Sequence, residues 1–315
     1  MDDRAERGVF RVLDKLEISI KEGRYYEAHQ MYRSIYYRYL TKKKYGDLLD
    51  LLFRGATILL EHNEHGSGID LAILLIDVLA KSEIKPNEEW IDKIITLFKS
   101  MHSSVPEREI FITNVVNWSM DENMKGHPLL HKKFGEVFWE KKELVLALKH
   151  GLHSNDGVTY AKMLIDLQTT RGRKSEVDLF ITQAVLRILG LRNKQMANEV
   201  LNEYARSHPM ILNEKGPPYS YPLLNFLWIL LKAIEKNDAL LFIKARRRYA
   251  KSLRRDPLYS AYLNKIAKVW FRIKKRKYRI LKSKLDCILN SIISVEGNSE
   301  IIREKIQNSN IPELD

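Results

Sequence analysis

With 315 residues, 45% of them hydrophobic and 30% charged, the chain has material for a large core, and its few, clustered glycines and prolines exclude disorder and an all-β fold. A single cysteine, Cys287, excludes an internal disulfide framework and leaves no basis for a cysteine-based zinc site. The formal net charge of +13 suits an acidic partner, whether nucleic acid, anionic lipid or an acidic protein surface, without choosing among them.

The start, Met1-Asp2-Asp3-Arg4-Ala5-Glu6-Arg7, is charged, has no apolar h-region and predicts no secretory signal. Val9, Val12, Leu13, Leu16 and Ile20 then lie on one helical stripe, which Gly23 stops. A second helix begins near Tyr25 and carries Ala28, Tyr32, Ile35, Tyr36 and Tyr39. The string Gly23-Arg24-Tyr25-Tyr26-Glu27-Ala28 resembles the turn and second helix of a tetratricopeptide repeat, where a small Ala lets two helices approach closely. An ordinary helix-turn-helix is the plainer reading of the same string.

The layout recurs with looser sequence. Helices are predicted over Tyr45 to His62 and, after a turn at 63–68, over Ile69 to Lys81. Asn87 to Lys99 is next, with a break at 102–106. Ser104 and Glu107 have capping-box spacing and open a helix to Met120. His127-Pro128 opens another, because Pro fits the first helical position. Tyr160 to Thr169, Ser175 to Leu189 and Lys194 to Ser207 follow. Pro222 to Glu235, Ala239 to Lys251 and a helix capped by Asp256-Pro257 complete the series. Turn signals recur roughly every 15 to 22 residues, the rhythm of helical hairpins in a solenoid. The longest apolar stretch, 222–231, is about half of what a membrane span needs. These features predict a soluble protein made in the cytosol.

The interruption at 207–222 concentrates Pro209, Gly216, Pro217, Pro218 and Pro222. It reads as either a small β-hairpin over 209–221, with Gly216-Pro217 at its tip, or a plain long connection. From Ile273 the chain turns basic, with Lys274-Lys-Arg-Lys277, Arg279, Lys282 and Lys284; the first four also resemble a nuclear-import signal. Leu285 to Val295 reads as one more helix and 296–315 as a frayed tail.

Catalytic signatures are missing: there is no Gly-rich phosphate loop, nucleophile elbow or zinc-protease helix. His127 and His131 share a helical face but lack a third ligand, so capping and packing are the better reading. His62 and His65 flank a turn and are expected in solvent. Cys287 beside Leu285, Ile288 and Leu289 reads as apolar surface. No catalytic residue, metal or cofactor is predicted. The basic residues between Lys244 and Lys284 alternate with Tyr249, Tyr259, Tyr262, Trp270, Phe271 and Tyr278. That pattern keeps a basic helical-repeat nucleic-acid-binding protein as the alternative, although the aromatic spacing is that of helix packing.

Four longer strings occur in order: Gly23 to Arg33, Thr169 to Asp178, Gly216-Pro-Pro-Tyr219 with Pro222 to Phe226, and Ser252 to Pro257. Together they resemble the Golgi to ER traffic protein 4 family, a subunit of the cytosolic machinery that targets tail-anchored membrane proteins. The segment from Ile273 shows no recognised counterpart. The resemblance implies an all-α fold, a right-handed α-solenoid of tetratricopeptide-like hairpins, with no catalytic activity of its own. It implies three regions: 1–152 docking a targeting ATPase, 153–272 binding an adaptor and scaffold, and 273–315 a basic helical or disordered tail. The partners it implies are the ATPase, a ubiquitin-like adaptor that recruits a chaperone, and in animals a BAG-domain scaffold protein, with no direct membrane insertion.

The residues suit those roles. Lys15, Arg24, Arg33, Arg38 and Lys42, with Tyr25, Tyr26 and His29, form the expected ATPase-docking face on the first hairpin, which also offers Lys43, Lys44 and Arg54. Asp70 and Asp77 lie two turns apart on one helical face. The resemblance assigns such acidic positions, here within Gly66-Ser-Gly-Ile-Asp-Leu71, to restraining the ATPase; as solvated charges they would need no such role. For the adaptor and scaffold, the expected residues are Tyr219, Tyr221, Leu258, Tyr259, Tyr262, Leu263 and Trp270, on the ground that a terminal solenoid helix leaves an apolar face to cover.

Overall fold

The computed structural model describes residues 2–122, 125–214 and 216–273. Fifteen α-helices occur among them and no strand. The chain divides between Asp156 and Gly157. The first unit holds α1 (Asp2–Lys21), α2 (Tyr25–Thr41), α3 (Tyr45–Glu61), α4 (His65–Lys81), α5 (Glu88–Ser100), α6 (Glu107–Trp118), α7 (Pro128–Glu140) and α8 (Leu144–Gly151). α1 with α2, α3 with α4 and α7 with α8 pair as hairpins, and helices two apart also touch: α2 with α4, α3 with α5, α4 with α6 and α5 with α7. This double adjacency is the packing of stacked helical pairs.

The hairpin turns share one backbone device. Gly23, Lys43, Asn63 and Glu83 recur at 20-residue intervals, each in the left-handed region with φ of 73, 54, 63 and 56°. The residue after each donates its N–H back to the carbonyl of the last helical turn: Arg24 to Ser19, Lys44 to Tyr39, Glu64 to Leu59 and Ile84 to Leu79, at 2.8 to 3.1 Å. This is the Schellman closure, which satisfies carbonyls a helix end would otherwise leave bare. Lys142 makes the same turn between α7 and α8. With no Gly or Pro at that turn, α8 was not anticipated.

Several boundaries differ from expectation: a helix begins at Gly157 rather than Tyr160, and the one read over Ala239 to Lys251 is interrupted at Tyr249. α4 begins at His65 and takes the Gly66 to Gly68 segment into the helix. Gly68 is there because α3 comes close: a Cβ would stand 2.7 Å from the Leu60 side chain. Ser104 is not a helix cap. Its hydroxyl bonds His102 Nδ1 at 2.8 Å, and α6 starts behind Pro106. Of the two turn histidines, His62 is exposed, whereas His65 is half-buried.

The second unit contains α9 (Gly157–Arg171), a 3-10 turn (Lys174–Glu176), α10 (Val177–Gly190), α11 (Lys194–Ser207), α12 (Pro222–Glu235), α13 (Ala239–Arg248), α14 (Ala250–Leu253) and α15 (Leu258–Phe271). α10 is its centre, in contact with α9, α11, α12 and α15. Asn193 and Asp238 cap α11 and α13 by accepting N–H bonds from Met196 and Leu241.

The 209–221 segment is not a β-hairpin. Among its described residues it makes helical-type turns, with Ile211 and Leu212 N–H both on the His208 carbonyl at 2.9 Å. Proline lacks the donor a ladder requires. Asn225 of α12 takes the role of a partner strand, accepting from Tyr219 N at 2.8 Å and donating to Tyr219 O at 2.7 Å. The basic run 274–284, the helix expected over 285–295, Cys287 and the tail 296–315 lie outside the described residues.

Candidate functional site

On α2, His29, Arg33 and Tyr36 occupy one helical stripe, and on α4 Asp70 and Asp77 occupy another. The two stripes face each other. His29 Nε2 lies 2.8 Å from Asp70 Oδ2, and Arg33 Nη1 reaches the same carboxylate at 3.2 and 3.3 Å. Tyr36 donates its hydroxyl to Asp77 at 2.5 Å, and Lys81 Nζ meets Asp77 at 2.6 Å. The hydrogen bond from His29, helped by the Arg33 charge, holds the Asp70 carboxyl below its usual range against the opposing effect of burial. Burial, and then Asp77, push the Tyr36 phenol up.

Residues expected in two separate roles therefore form one network: His29 and Arg33 from the docking set, Asp70 from the regulatory pair. Both acids remain partly open, with one-third of the Asp70 side chain exposed. Tyr36 and Lys81 were not anticipated. The signal was present, since His29 to Asp70 and Tyr36 to Asp77 have the same separation of 41 residues.

The other docking candidates are spread around the first hairpin. Lys15 and Tyr26 border a shallow groove of about 470 Å3 between α1 and α2, with Val12, Gln30 and Met31. Tyr26 is 75% exposed. Arg24 is held by Glu22 and Glu27, and Tyr25 stacks on His62 at 4.7 Å. Arg38 is exposed and Lys42 half-buried at the end of α2.

In the second unit the aromatic candidates divide. Tyr259 and Leu263 face inward: Tyr259 is fully buried and donates its hydroxyl to Leu179 O at 2.9 Å. Trp270 donates to Leu189 O at 2.9 Å and is half-buried. The last described helix thus lays most of its apolar face on α10. Leu258 remains 52% exposed, with Tyr262 half-buried. Tyr219 and Tyr221 are half-buried at the start of α12.

The two histidines proposed to share a face do not act together. His127 donates its backbone N–H to Ser119 Oγ, whereas His131 Nδ1 contacts His150 Nδ1 of α8 at 3.1 Å. Among the described residues no three His, Cys, Asp or Glu side chains are grouped as metal ligands. No described helix is long and apolar enough to cross a membrane.

Residues 42–292 match the family model for Golgi to ER traffic protein 4. The chain belongs to this family. It is 38% identical over 309 residues to the Golgi to ER traffic protein 4 homolog of Oryzias latipes, covering 98% of this chain and 95% of that one. To the Homo sapiens homolog it is 37% identical over 294 residues, covering 93% and 88%. The fold is similar to the crystal structure of C. therm. Get4, with a TM-score of 0.76, 24% identity and coverage of 85% and 91%. Family membership ties the chain to Golgi to ER traffic. It also corrects one expectation: the match runs to residue 292, so the resemblance does not end at Ile273.

Two of the family-like strings meet in space. Asp178, closing the second, receives Arg255 of the fourth at 2.7 and 2.9 Å. Tyr221, beside the third, has its phenol pushed up by burial and then by the Asp178 charge.

Proposed function

We propose that the chain is a non-enzymatic, cytosolic scaffold that bridges a tail-anchored-protein targeting ATPase to a ubiquitin-like adaptor and its chaperone, for post-translational delivery to the ER. Family membership is the observation that carries this reading. In it, region 1–152 docks the ATPase, 153–272 holds the adaptor and, in animals, a BAG-domain scaffold protein, and 273–315 is a basic extension. No direct membrane insertion is involved.

Docking is assigned to Lys15, Arg24, Tyr25, Tyr26, His29, Arg33, Arg38 and Lys42. The exposed positions among them are Lys15, Arg24, Tyr26 and Arg38; Lys15 and Arg38 can meet an acidic face directly, whereas Arg24 must first leave Glu22 and Glu27. Asp70 and Asp77 are assigned the regulatory role. Their ties to α2 support a coupling in which ATPase docking on α2 changes how far each acid is available. Adaptor contact is assigned to Leu258, Tyr262, Trp270, Tyr219 and Tyr221, with Tyr259 and Leu263 supporting them from the core.

Affinity purification of the full chain from native cytosol tests the reading. Recovery of an ATPase together with a ubiquitin-like protein is the expected result, and their absence from a stable complex would end it. The nucleic-acid alternative loses one of its cations to an internal ion pair, since Arg255 is held by Asp178. A salt-dependent RNA pull-down would revive it.

A further inference from the structure

Outside both assigned surfaces lies a pocket of about 490 Å3, formed in the first unit by α6, α8 and the segment joining α5 to α6. Its rim carries the exposed residues Ser103, Ser104, Leu146 and Lys149. Arg108, in the first turn of α6, lines it and is only 5% exposed.

Packing fixes the plane of this guanidinium without completing its hydrogen bonds. Its central carbon stands 4.6 Å from the Phe98 ring centroid and 5.1 Å from that of Phe138. Glu143 Oε1 lies 3.4 Å from both Nη1 and Nη2. Charge-assisted bonds are usually about 2.7–2.9 Å, so this is a loose contact. Arg108 Nε finds no partner among the described residues. Buried donors are nearly always satisfied, and guanidinium presents five of them in a fork that matches a carboxylate.

We propose that this pocket receives the side-chain carboxylate of an acidic residue on a partner peptide, gripped side-on by Nε and Nη2 of Arg108. Lys149 faces the incoming charge from the rim, and Val105, Ile112 and Leu146 accept an adjacent apolar side chain. Glu109 and Glu143 also line the pocket. They favour a monoanion over a phosphate dianion, which would meet two carboxylates at close range. Glu143 acts as the internal competitor that the incoming carboxylate displaces from Nη2. This site is independent of the bridging reading.

The test uses the full chain with 15N-labelled arginine, following the Arg108 Nε–H resonance, assigned by its loss in Arg108→Lys. The probes are a blocked tetrapeptide, acetyl-Ala-Leu-Glu-Ala-amide, its Gln counterpart, and inorganic phosphate. The Glu peptide is expected to shift the resonance saturably, with the Gln peptide and phosphate weaker by about fivefold or more. Glu143→Gln is expected to tighten the Glu peptide several-fold. Lys149→Glu, which leaves the buried residues untouched, is expected to weaken it by about threefold. A resonance unmoved by the Glu peptide, an equal response to the Gln peptide or phosphate, or unchanged affinity in both Glu143→Gln and Lys149→Glu would overturn the proposal.

Discussion

Arg255 closes on Asp178 from 77 residues away in sequence, with Nη1 at 2.7 and 2.9 Å from the two carboxylate oxygens and Nη2 at 2.6 Å from Ser175 O. The two ends differ in exposure. The Asp178 side chain is 2% exposed, whereas that of Arg255 is 37% exposed. The pair ties the entry to α15 onto the start of α10, and so fixes the frame on which Leu258 and Tyr262 are displayed.

That asymmetry sets the first prediction. Arg255→Ala leaves a buried carboxylate unpaired and should destabilise the protein by about 3 kcal/mol. Asp178→Ala leaves a guanidinium that can turn to water and should cost less, about 1–2 kcal/mol. Urea unfolding followed by circular dichroism reads both. Equal losses would show that the carboxylate is not the stranded group.

The second prediction concerns turns the residue types do not announce. Glu83 and Arg192 hold φ of 56 and 66°, where a Cβ is strained. Glu83→Gly and Arg192→Gly should each stabilise the fold by about 0.5–1 kcal/mol, the relief of strain exceeding the added chain entropy. Glu83→Val should destabilise it. A lower urea midpoint for both glycine variants would contradict the Schellman assignment.

These same turns separate what was legible from what was not. Lys194 to Ser207 and Pro222 to Glu235 were readable to the residue because Asn193, Pro209 and Pro222 mark their ends chemically. The α7–α8 turn was not, because Lys142 adopts a left-handed conformation that lysine does not signal, and the closing bond from Glu143 to Phe138 uses main chain alone. At the site, each charge was visible individually. Its partner was not, since pairing depends on the register of α2 against α4, which follows from the 20-residue interval of turns rather than from local pattern.

Docking and regulation can be separated by choosing residues on either side of the α2–α4 network. Lys15→Glu with Arg38→Glu changes exposed charge away from Asp70 and should slow ATPase association and flatten its salt dependence. Arg33→Glu is a different experiment, because it sets a second carboxylate beside Asp70, now 3.2 Å from Arg33 Nη1. Asp70→Lys should leave binding largely intact and raise nucleotide turnover in the complex. Stopped-flow association and steady-state turnover measure the two effects. Loss of binding in Asp70→Lys without a change in turnover of the remaining complex would reverse the roles.

The last prediction follows from the His131–His150 pair. Both rings are buried, and His150 also stacks on Phe138 at 5.3 Å, while Lys149 and His153 stand nearby. Burial, with His153 second, pushes His131 down to about 4, and burial, with His131 second, pushes His150 down to about 3. In the unfolded chain both titrate near the ordinary value of about 6.5. A depressed folded value means that the unfolded state binds protons first as pH falls. The stabilisation is therefore complete above about pH 6.5 and is lost progressively as the pH drops toward 4. The first proton should cost on the order of 3 kcal/mol, since it must enter a site without a carboxylate partner. Urea midpoints between pH 7 and 5 read this effect together with that of buried His208, which burial also holds below its ordinary value, because most carboxylates remain ionised there. His150→Phe, close in shape and able to keep the stacking on Phe138, should flatten the slope by roughly a third. A wild-type midpoint that does not move between pH 7 and 5 would mean that the rings are not held neutral in the folded state.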